Sequence, residues 1–335
     1  MKHQFQSLIL IFLLACQSPI SCAFPKGDVV HHVINPNMEI DVYLPPNYNE
    51  NQNYKSIYFN DGETIFQKGY GWDLHKKLDA LIAKQVIESV IVVAVYANGN
   101  RNSWYIPYQD QWVQENWGNY TPQAQNYTET IVNEVIPFIE KNYKVNQERA
   151  IFGYSLGGSH ATWAGIKYPE NFSFSVAFSP SYWVSNYAIF KELSVKTQTT
   201  AVWFDLGTAE WEYYVPFYQK LQEVGYQAGK SCFYYEVKGG GHTAKDWLQR
   251  IDYPLIAFAG LNQDFAPKSM EVTALYIPSA SGSGKIYRRI NVVLTLANGI
   301  KYTPSNTANY TLLQGDIILL EDGTITAIGT EKKQK

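Results

Sequence analysis

Cysteine is scarce in this chain: three occur in 335 residues, Cys16, Cys22 and Cys232. That is too few for a disulfide framework, and no Cys/His spacing suggests a metal site. Charge is scarce too. Charged residues are 17% of the total and the formal net charge is −3. The one cationic cluster, Lys332, Lys333 and Lys335, reads as a solvated tail. A nucleic-acid partner requires a basic surface to neutralise phosphates, and none is offered. No repeat is evident, and beyond the N-terminal segment no apolar run is long enough to span a membrane. What is plentiful is apolar and aromatic. Hydrophobic residues make up 46% and aromatics 15%, with 9 Trp and 26 Tyr. The length suits one large domain or two smaller ones. An aromatic surplus suits a carbohydrate or aryl site, and equally a rigid aromatic core.

The N-terminus reads as an export segment. Lys2 and His3 give a basic start, and Leu8 to Ala15 form a short apolar core. Leu13-Leu14-Ala15-Cys16 resembles a bacterial lipobox, which would make Cys16 the lipidated first residue and a membrane tether. Ordinary cleavage after Ser21-Cys22-Ala23 is the second reading. Both put the mature chain outside the cytoplasm, in the periplasm, at the outer membrane or secreted. Cys232 is expected to be a buried thiol, with pairing to Cys22 as the alternative.

Residues 1–25 are therefore assigned to the signal and tether, 26–262 to a catalytic domain and 263–335 to an accessory module. In the second segment, strand-like and helix-like stretches alternate. Strands are expected at Glu39 to Leu44, Lys55 to Asn60, Val90 to Tyr96, Ser175 to Ser179, Ala201 to Leu206 and Ser231 to Val237. Helices are expected at Leu74 to Lys84, Thr128 to Asn142 with a kink at Pro137, Val215 to Val224 and Ala244 to Phe258. The β-branched run at Val90 is that of a strand buried on both faces. The pattern predicts an α/β fold with a mostly parallel sheet covered by helices on both sides. Past Asn262 the pattern becomes all-β, with hairpin signals at Ala297-Asn298-Gly299 and Asp322-Gly323. A small β-sandwich-like module follows from it.

The stretch with most chemistry is Gly153-Tyr154-Ser155-Leu156-Gly157-Gly158. It follows the apolar run Ala150-Ile151-Phe152 and precedes a helical segment, His160 to Lys167. Strand, tight turn and helix are what a nucleophile elbow needs. The turn lifts the Ser155 hydroxyl above the sheet and leaves the Leu156 N–H for an oxyanion. A glycine turn without chemistry is the plain alternative. Serine needs a base and an orienting acid. His31, His32, His75 and His160 all lie before the serine or on its own helix. His242 follows it at a late strand end, in Gly239-Gly240-Gly241-His242. In chain order the acid falls between Ser155 and His242. Asp205 lies inside a strand, so Glu210, beyond Gly207, is the candidate, with Glu212 as fallback. A second oxyanion N–H is expected at Gly62 or Glu63, in the turn after the strand ending at Asn60.

These stretches resemble the bacterial putative-esterase family of α/β-hydrolases. The family groups feruloyl and acetyl-xylan esterases, enterochelin-type siderophore esterases, esterase D and mycolyltransferases. The likeness runs over about residues 30–260. It includes Glu134-Val135-Ile136-Pro137, the run from Arg149 through Ser155 to Phe172, Phe178-Ser179-Pro180-Ser181-Tyr182-Trp183, Gly207-Thr208-Ala209-Glu210 and Gly240-Gly241-His242. It implies the α/β-hydrolase fold, a Ser155–Glu210–His242 triad, an oxyanion turn at Asp61-Gly62 and no cofactor or metal. The chain departs from the enterochelin-type Arg-x-x-Glu pattern: Arg101 is followed by Asn102, Ser103 and Trp104. The segment Trp104 to Tyr127 is expected to cover the site mouth, with Arg101, Trp104 and Trp183 against substrate. The expected activity is hydrolysis of acetyl or feruloyl esters of polysaccharide, or of related aryl esters. A siderophore-ester hydrolase, an acyltransferase and a catalytically silent binding lipoprotein stay open as alternatives.

Overall fold

The computed structural model describes residues 25–67, 72–193, 200–210, 214–278, 286–304, 317–319 and 324–327. Eight strands form the main sheet: β1 (Asp28–Asn35), β2 (Met38–Leu44), β3 (Tyr54–Asn60), β4 (Val90–Val95), β5 (Val145–Tyr154), β6 (Phe174–Phe178), β7 (Ala201–Gly207) and β8 (Cys232–Val237). Their order is β1-β2-β4-β3-β5-β6-β7-β8. The β1–β2 and β2–β4 pairs are antiparallel and every later pair is parallel. The sheet is thus mostly parallel, and its strands are apolar on both faces for a visible reason. Successive side chains of a strand point to opposite faces. Ile151 and Val93 lie in one apolar cluster, while their chain neighbours Phe152 and Val92 lie in the other.

The helices, in chain order, are α1 (Gly62–Ile65), α2 (Leu74–Ala83), α3 (Arg101–Tyr105), α4 (Gln111–Trp117), α5 (Ala124–Thr130), α6 (Ile136–Asn142), α7 (Ser155–Lys167), α8 (Val184–Tyr187, a turn whose Ser185 and Asn186 are non-helical), α9 (Val215–Glu223), α10 (Ala244–Arg250) and α11 (Asp252–Ala259). Three features differ from expectation. The helix expected over Thr128 to Asn142 is α5 and α6 joined by a π turn, Ile131–Val135. Proline has no N–H and its ring crowds the preceding turn, so the strain of Pro137 is absorbed there. The single closing helix is two, α10 and α11, with the break at Ile251 just before Pro254. A strand not expected, β1, precedes the first expected one at Glu39 and carries His31 and His32.

Past residue 262 the chain forms an antiparallel sheet of β9 (Pro267–Pro278), β10 (Ile286–Leu296), β11 (Lys301–Tyr302), β12 (Ile317–Leu319) and β13 (Thr324–Ala327). The hairpin at Ala297-Asn298-Gly299 is present, with Gly299 at φ 92°. Residues 320–323, including Asp322-Gly323, lie outside the described residues, as do Cys16 and Cys22. This sheet also meets the larger one. Thr303 N–H donates to the Tyr234 carbonyl at 2.6 Å, and its Oγ1 accepts from Glu236 N–H at 3.0 Å. Leu296, Ile300 and Tyr302 share an apolar cluster with Phe233. The contacts cover the edge strand β8, which would otherwise present unpaired backbone groups. Cys232, at the start of β8, is buried. Among the described residues no helix is long and apolar enough to cross a membrane.

Candidate active site

The centre of the site is the junction of β5 and α7. Ser155 has φ 53°, in the left-handed region costly for a side-chain-bearing residue. The two flanking glycines are required by contact. A Cβ on Gly153 would sit 2.2 Å from the Gly157 carbonyl oxygen, and one on Gly157 would sit 2.7 Å from Asp61 Oδ2. Leu156 is buried in the first turn of α7, where backbone N–H groups have no intrahelical acceptor.

The turn from β3 into α1 lies against this junction. Asp61 has φ 56°, and a Cβ on Gly62 would collide with the β4 backbone at Ala94, 2.3 Å away. Arg101 Nε donates to Asp61 Oδ1 at 2.7 Å and Nη2 to Oδ2 at 3.1 Å. Asp61 N–H donates to Tyr105 Oη at 2.7 Å. Burial raises the Asp61 carboxyl above its ordinary value, against the pull of Arg101. The Glu63 side chain turns away and accepts from Ala97 N–H at 3.0 Å. Beneath the turn, Asn60 Nδ2 donates to the Gly157 carbonyl at 2.8 Å and lies 3.0 Å from His160 Nδ1.

Glu210 and His242 come from the loops after β7 and β8 and meet. His242 Nδ1 lies 2.7 Å from Glu210 Oε2. An ionised carboxylate accepts, so Nδ1 carries the proton, and in the neutral ring the lone pair is then on Nε2. The other oxygen, Oε1, accepts from Gly207 N–H at 2.8 Å and Ser179 Oγ at 2.7 Å. Burial pushes the Glu210 carboxyl up, but hydrogen bonds from His242, Ser179 and Gly207 outweigh it and leave it below its ordinary value. The His242 ring stands edge-to-face on Trp247, with centroids 5.0 Å apart. Gly207 and Gly240 let the two loops touch, since a Cβ on Gly207 would sit 2.0 Å from the Gly240 carbonyl oxygen. Among the described residues no hydrogen bond links Ser155 to His242; Ser155 Oγ lies 3.5 Å from Ser181 Oγ. Glu212, the fallback acid, lies outside the described residues.

A narrow, largely apolar cleft opens beside Leu156, Ser159 and Ser181, walled by Tyr105, Ile106, Tyr108 and Val184. The segment from 104 to 127 thus does supply one wall. Three residues were expected at substrate: Arg101, Trp104 and Trp183. Trp104 is buried and stacked on Tyr127 with centroids 5.0 Å apart. The Arg101 guanidinium is held by Asp61. Trp183 packs edge-to-face on Trp112 and Trp117, outside the cleft wall.

Several residues that sequence reasoning passed over complete the support. Ser179, at φ 44°, accepts from Trp247 Nε1 at 2.9 Å and Arg250 Nη2 at 2.7 Å. Arg250 also pairs with Asp205 at 2.8 Å, both side chains buried. Ser179 had a signal, its place in Phe178-Ser179-Pro180-Ser181. Arg250 had none, because an arginine in an amphipathic helix reads as exposed. Among the described residues no group of three or more His, Cys, Asp or Glu side chains is placed to hold a metal ion.

A family model described as "Putative esterase" matches residues 31–258. The uncharacterized protein YbbA of Bacillus subtilis is 27% identical over 254 residues, covering 71% of this chain and 98% of that protein. The enterobactin esterase FES from Shigella flexneri is similar in structure, with a TM-score of 0.55 at 16% identity, over 69% of this chain and 58% of that one. The feruloyl esterase module from Clostridium thermocellum, solved with sinapinate, has a TM-score of 0.53 at 20% identity, over 70% of this chain and 88% of that one. Likenesses at these identities show the shared fold.

Proposed function

Since this chain belongs to the putative esterase family, we propose that it is an exported serine carboxylic-ester hydrolase with Ser155, His242 and Glu210 as its catalytic triad. The observation that carries the reading is the 2.7 Å contact of His242 Nδ1 with a buried, hydrogen-bonded Glu210. It fixes the tautomer that a base needs, and Ser155 itself is held at a strained φ. On substrate binding, His242 Nε2 takes the Ser155 proton as Oγ attacks the ester carbonyl. The amides of Leu156 and of Gly62 or Glu63 receive the oxyanion. His242 then protonates the leaving alcohol, and water releases the acyl group by the reverse path. Catalytic hydrogen bonds are often loose without substrate and tighten in the complex, so the Ser155–His242 link belongs to that stage.

The acyl group would enter the narrow apolar cleft beside Leu156 and Tyr105, which as it stands suits a small group such as acetyl, and an aryl acid such as ferulate needs the cleft to widen. A catecholate siderophore carries negative charge and would favour a free cation at the mouth. Arg101, the cation the sequence places nearest, is committed to Asp61, and this weighs for the neutral ester. In the same reading residues 1–25 export the chain, Cys16 tethers it by lipidation, and 263–335 is accessory.

The test is hydrolysis of p-nitrophenyl acetate and methyl ferulate by residues 24–335, beside Ser155→Ala and His242→Ala. Losses of about 10³-fold or more in kcat are expected in each variant. Full activity in His242→Ala would sink the assignment.

A further inference from the structure

Among the described residues the exposed aromatic side chains are gathered in one place. Among the described residues the large exposed hydrophobics include three aromatics, Trp112, Trp117 and Tyr187. All three stand on two neighbouring segments, α4 and the turn that begins at Trp183. The other aromatic side chains whose burial is described are buried or half-buried. Trp112, Trp117 and Trp183 pack edge-to-face on one another, with centroids 5.2 to 5.6 Å apart and interplanar angles from 76° to 88°. Trp112 and Trp117 remain 49% and 43% exposed. Leaving two indoles open to water forgoes a large burial gain, and such patches mark binding surfaces.

The patch is also built rather than incidental. Ser185, Asn186 and Tyr187 all have left-handed backbone angles, at φ 54°, 54° and 57°. Each such residue costs roughly 1–2 kcal/mol, and strain of this kind collects at functional segments. Asp110 holds the turn against α4: Oδ1 caps Val113 N–H at 2.8 Å and Oδ2 accepts from Ser185 N–H. Ser185 Oγ donates to the Gln109 carbonyl at 3.1 Å. The patch starts two residues from Ser181, whose hydroxyl is 3.5 Å from Ser155 Oγ.

We propose that Trp112, Trp117 and Trp183 form a subsite that stacks the sugar rings of a neutral glycan while its ester reaches Ser155. The proposal rests on the esterase reading and deepens it. Two observations select the ligand. From residue 102 to 127 there is no Lys or Arg, while Gln109, Gln111, Gln114, Asn116 and Asn119 flank Trp112 and Trp117 along the chain. Neutral amides suit hydroxyl groups, and the acids Asp110 and Glu115 disfavour an anion. The rings are also far from coplanar. A flat ribbon of sugars, as in β-1,4-glucan, stacks on coplanar faces. A screw-like chain such as β-1,4-xylan turns each ring from the last and suits faces at steep angles.

The experiment has two readouts. Titration of the Ser155→Ala chain with xylohexaose and cellohexaose, followed by tryptophan fluorescence, should show saturable binding that is tighter for xylohexaose. Binding should fall tenfold or more in Ser155→Ala carrying Trp112→Ala and Trp117→Ala. In the active chain the same two substitutions should lower, by tenfold or more, the ratio of kcat/KM on feruloylated xylo-oligosaccharide to that on methyl ferulate. Absence of xylohexaose binding, tighter cellohexaose binding or an unchanged ratio would overturn the subsite. Ser155-dependent methyl ferulate hydrolysis would then still stand, so failure of the subsite and failure of the esterase reading are separable.

Discussion

Ser179 Oγ donates to Glu210 Oε1 at 2.7 Å, and its own oxygen is held by Trp247 Nε1 and Arg250 Nη2 at 2.9 and 2.7 Å. Two donors aimed at the hydroxyl oxygen leave its proton one direction, toward the carboxylate. The Glu210 carboxylate is thereby fixed from the side opposite His242. Ser179→Ala should cost a buried hydrogen bond to a charged group, about 1.5–3 kcal/mol. In steady-state kinetics on methyl ferulate this should appear as a kcat loss of tenfold or more with KM little changed. Ser179→Gly removes the same hydroxyl while relieving the φ of 44°. An equal loss in both variants assigns the effect to the hydroxyl; wild-type turnover in either would end the argument.

How much of this was legible beforehand divides along physical lines. The Val90 run and the Ala150-Ile151-Phe152 run showed buried strands because β-branched and aromatic residues without alternation have few other homes. Gly153, Ser155 and Gly157 showed an elbow because the turn tolerates no Cβ at the flanks. Glu210 and His242 were placed together by chain order and by glycines that shorten loop approaches. The partners of Arg101 and Trp104 were not legible. A sequence gives a residue's element, but not that Asp61 turns a guanidinium inward or that Tyr127 takes up an indole. Ser179 and Arg250 act through tertiary contacts with partners far along the chain, and no local pattern encodes those.

Arg101 clamps the Asp61-Gly62-Glu63 turn, the proposed oxyanion turn, so its replacement should affect turnover more than affinity. Lysine cannot reproduce two parallel hydrogen bonds to Asp61. Arg101→Lys should lower kcat on p-nitrophenyl acetate several-fold at nearly constant KM. Arg101→Ala leaves the buried Asp61 without a counter-charge. Losing one partner of a fully buried pair costs 3–5 kcal/mol, and with Arg101 a third exposed about 2 kcal/mol is expected. Urea unfolding of the three proteins measures it. A main effect on KM would return Arg101 to the substrate.

Gly153→Ala and Gly157→Ala should separate folding from catalysis. A Cβ at position 153 would meet backbone 2.2 Å away, in an α7 turn that cannot retreat. This variant should lose several kcal/mol and accumulate poorly. At position 157 the nearest atom is the Asp61 side-chain oxygen at 2.7 Å. That side chain can shift, and the Asp61-Gly62-Glu63 turn would shift with it. Gly157→Ala should therefore fold, with kcat reduced about tenfold to a hundredfold by a misplaced oxyanion donor. Near-equal stability and turnover of Gly157→Ala and wild type would contradict the packing.

His160 sets an acid limit on stability. Its Nε2 lies 2.8 Å from Thr128 Oγ1, whose own proton goes to the Ala124 carbonyl, and its Nδ1 faces Asn60 Nδ2 at 3.0 Å. Nε2 therefore donates and Nδ1 accepts, the pattern of a neutral ring. A second proton on Nδ1 would point at the Asn60 amide hydrogens. Burial pushes the imidazole down from an ordinary 6.5 to about 3. The unfolded chain thus takes up a proton near pH 6.5 that the folded chain refuses until about pH 3. Between those values the unfolded state binds more protons, so stability falls as the pH falls, by up to about 1.4 kcal/mol per pH unit. Above pH 6.5 the group adds no slope. His160→Gln should be less stable at pH 8, because it disturbs Asn60 and Thr128, yet lose less on acidification to pH 5. Urea midpoints at pH 8, 6.5 and 5 decide it, and parallel losses in the two proteins would show that His160 is not the titrating group.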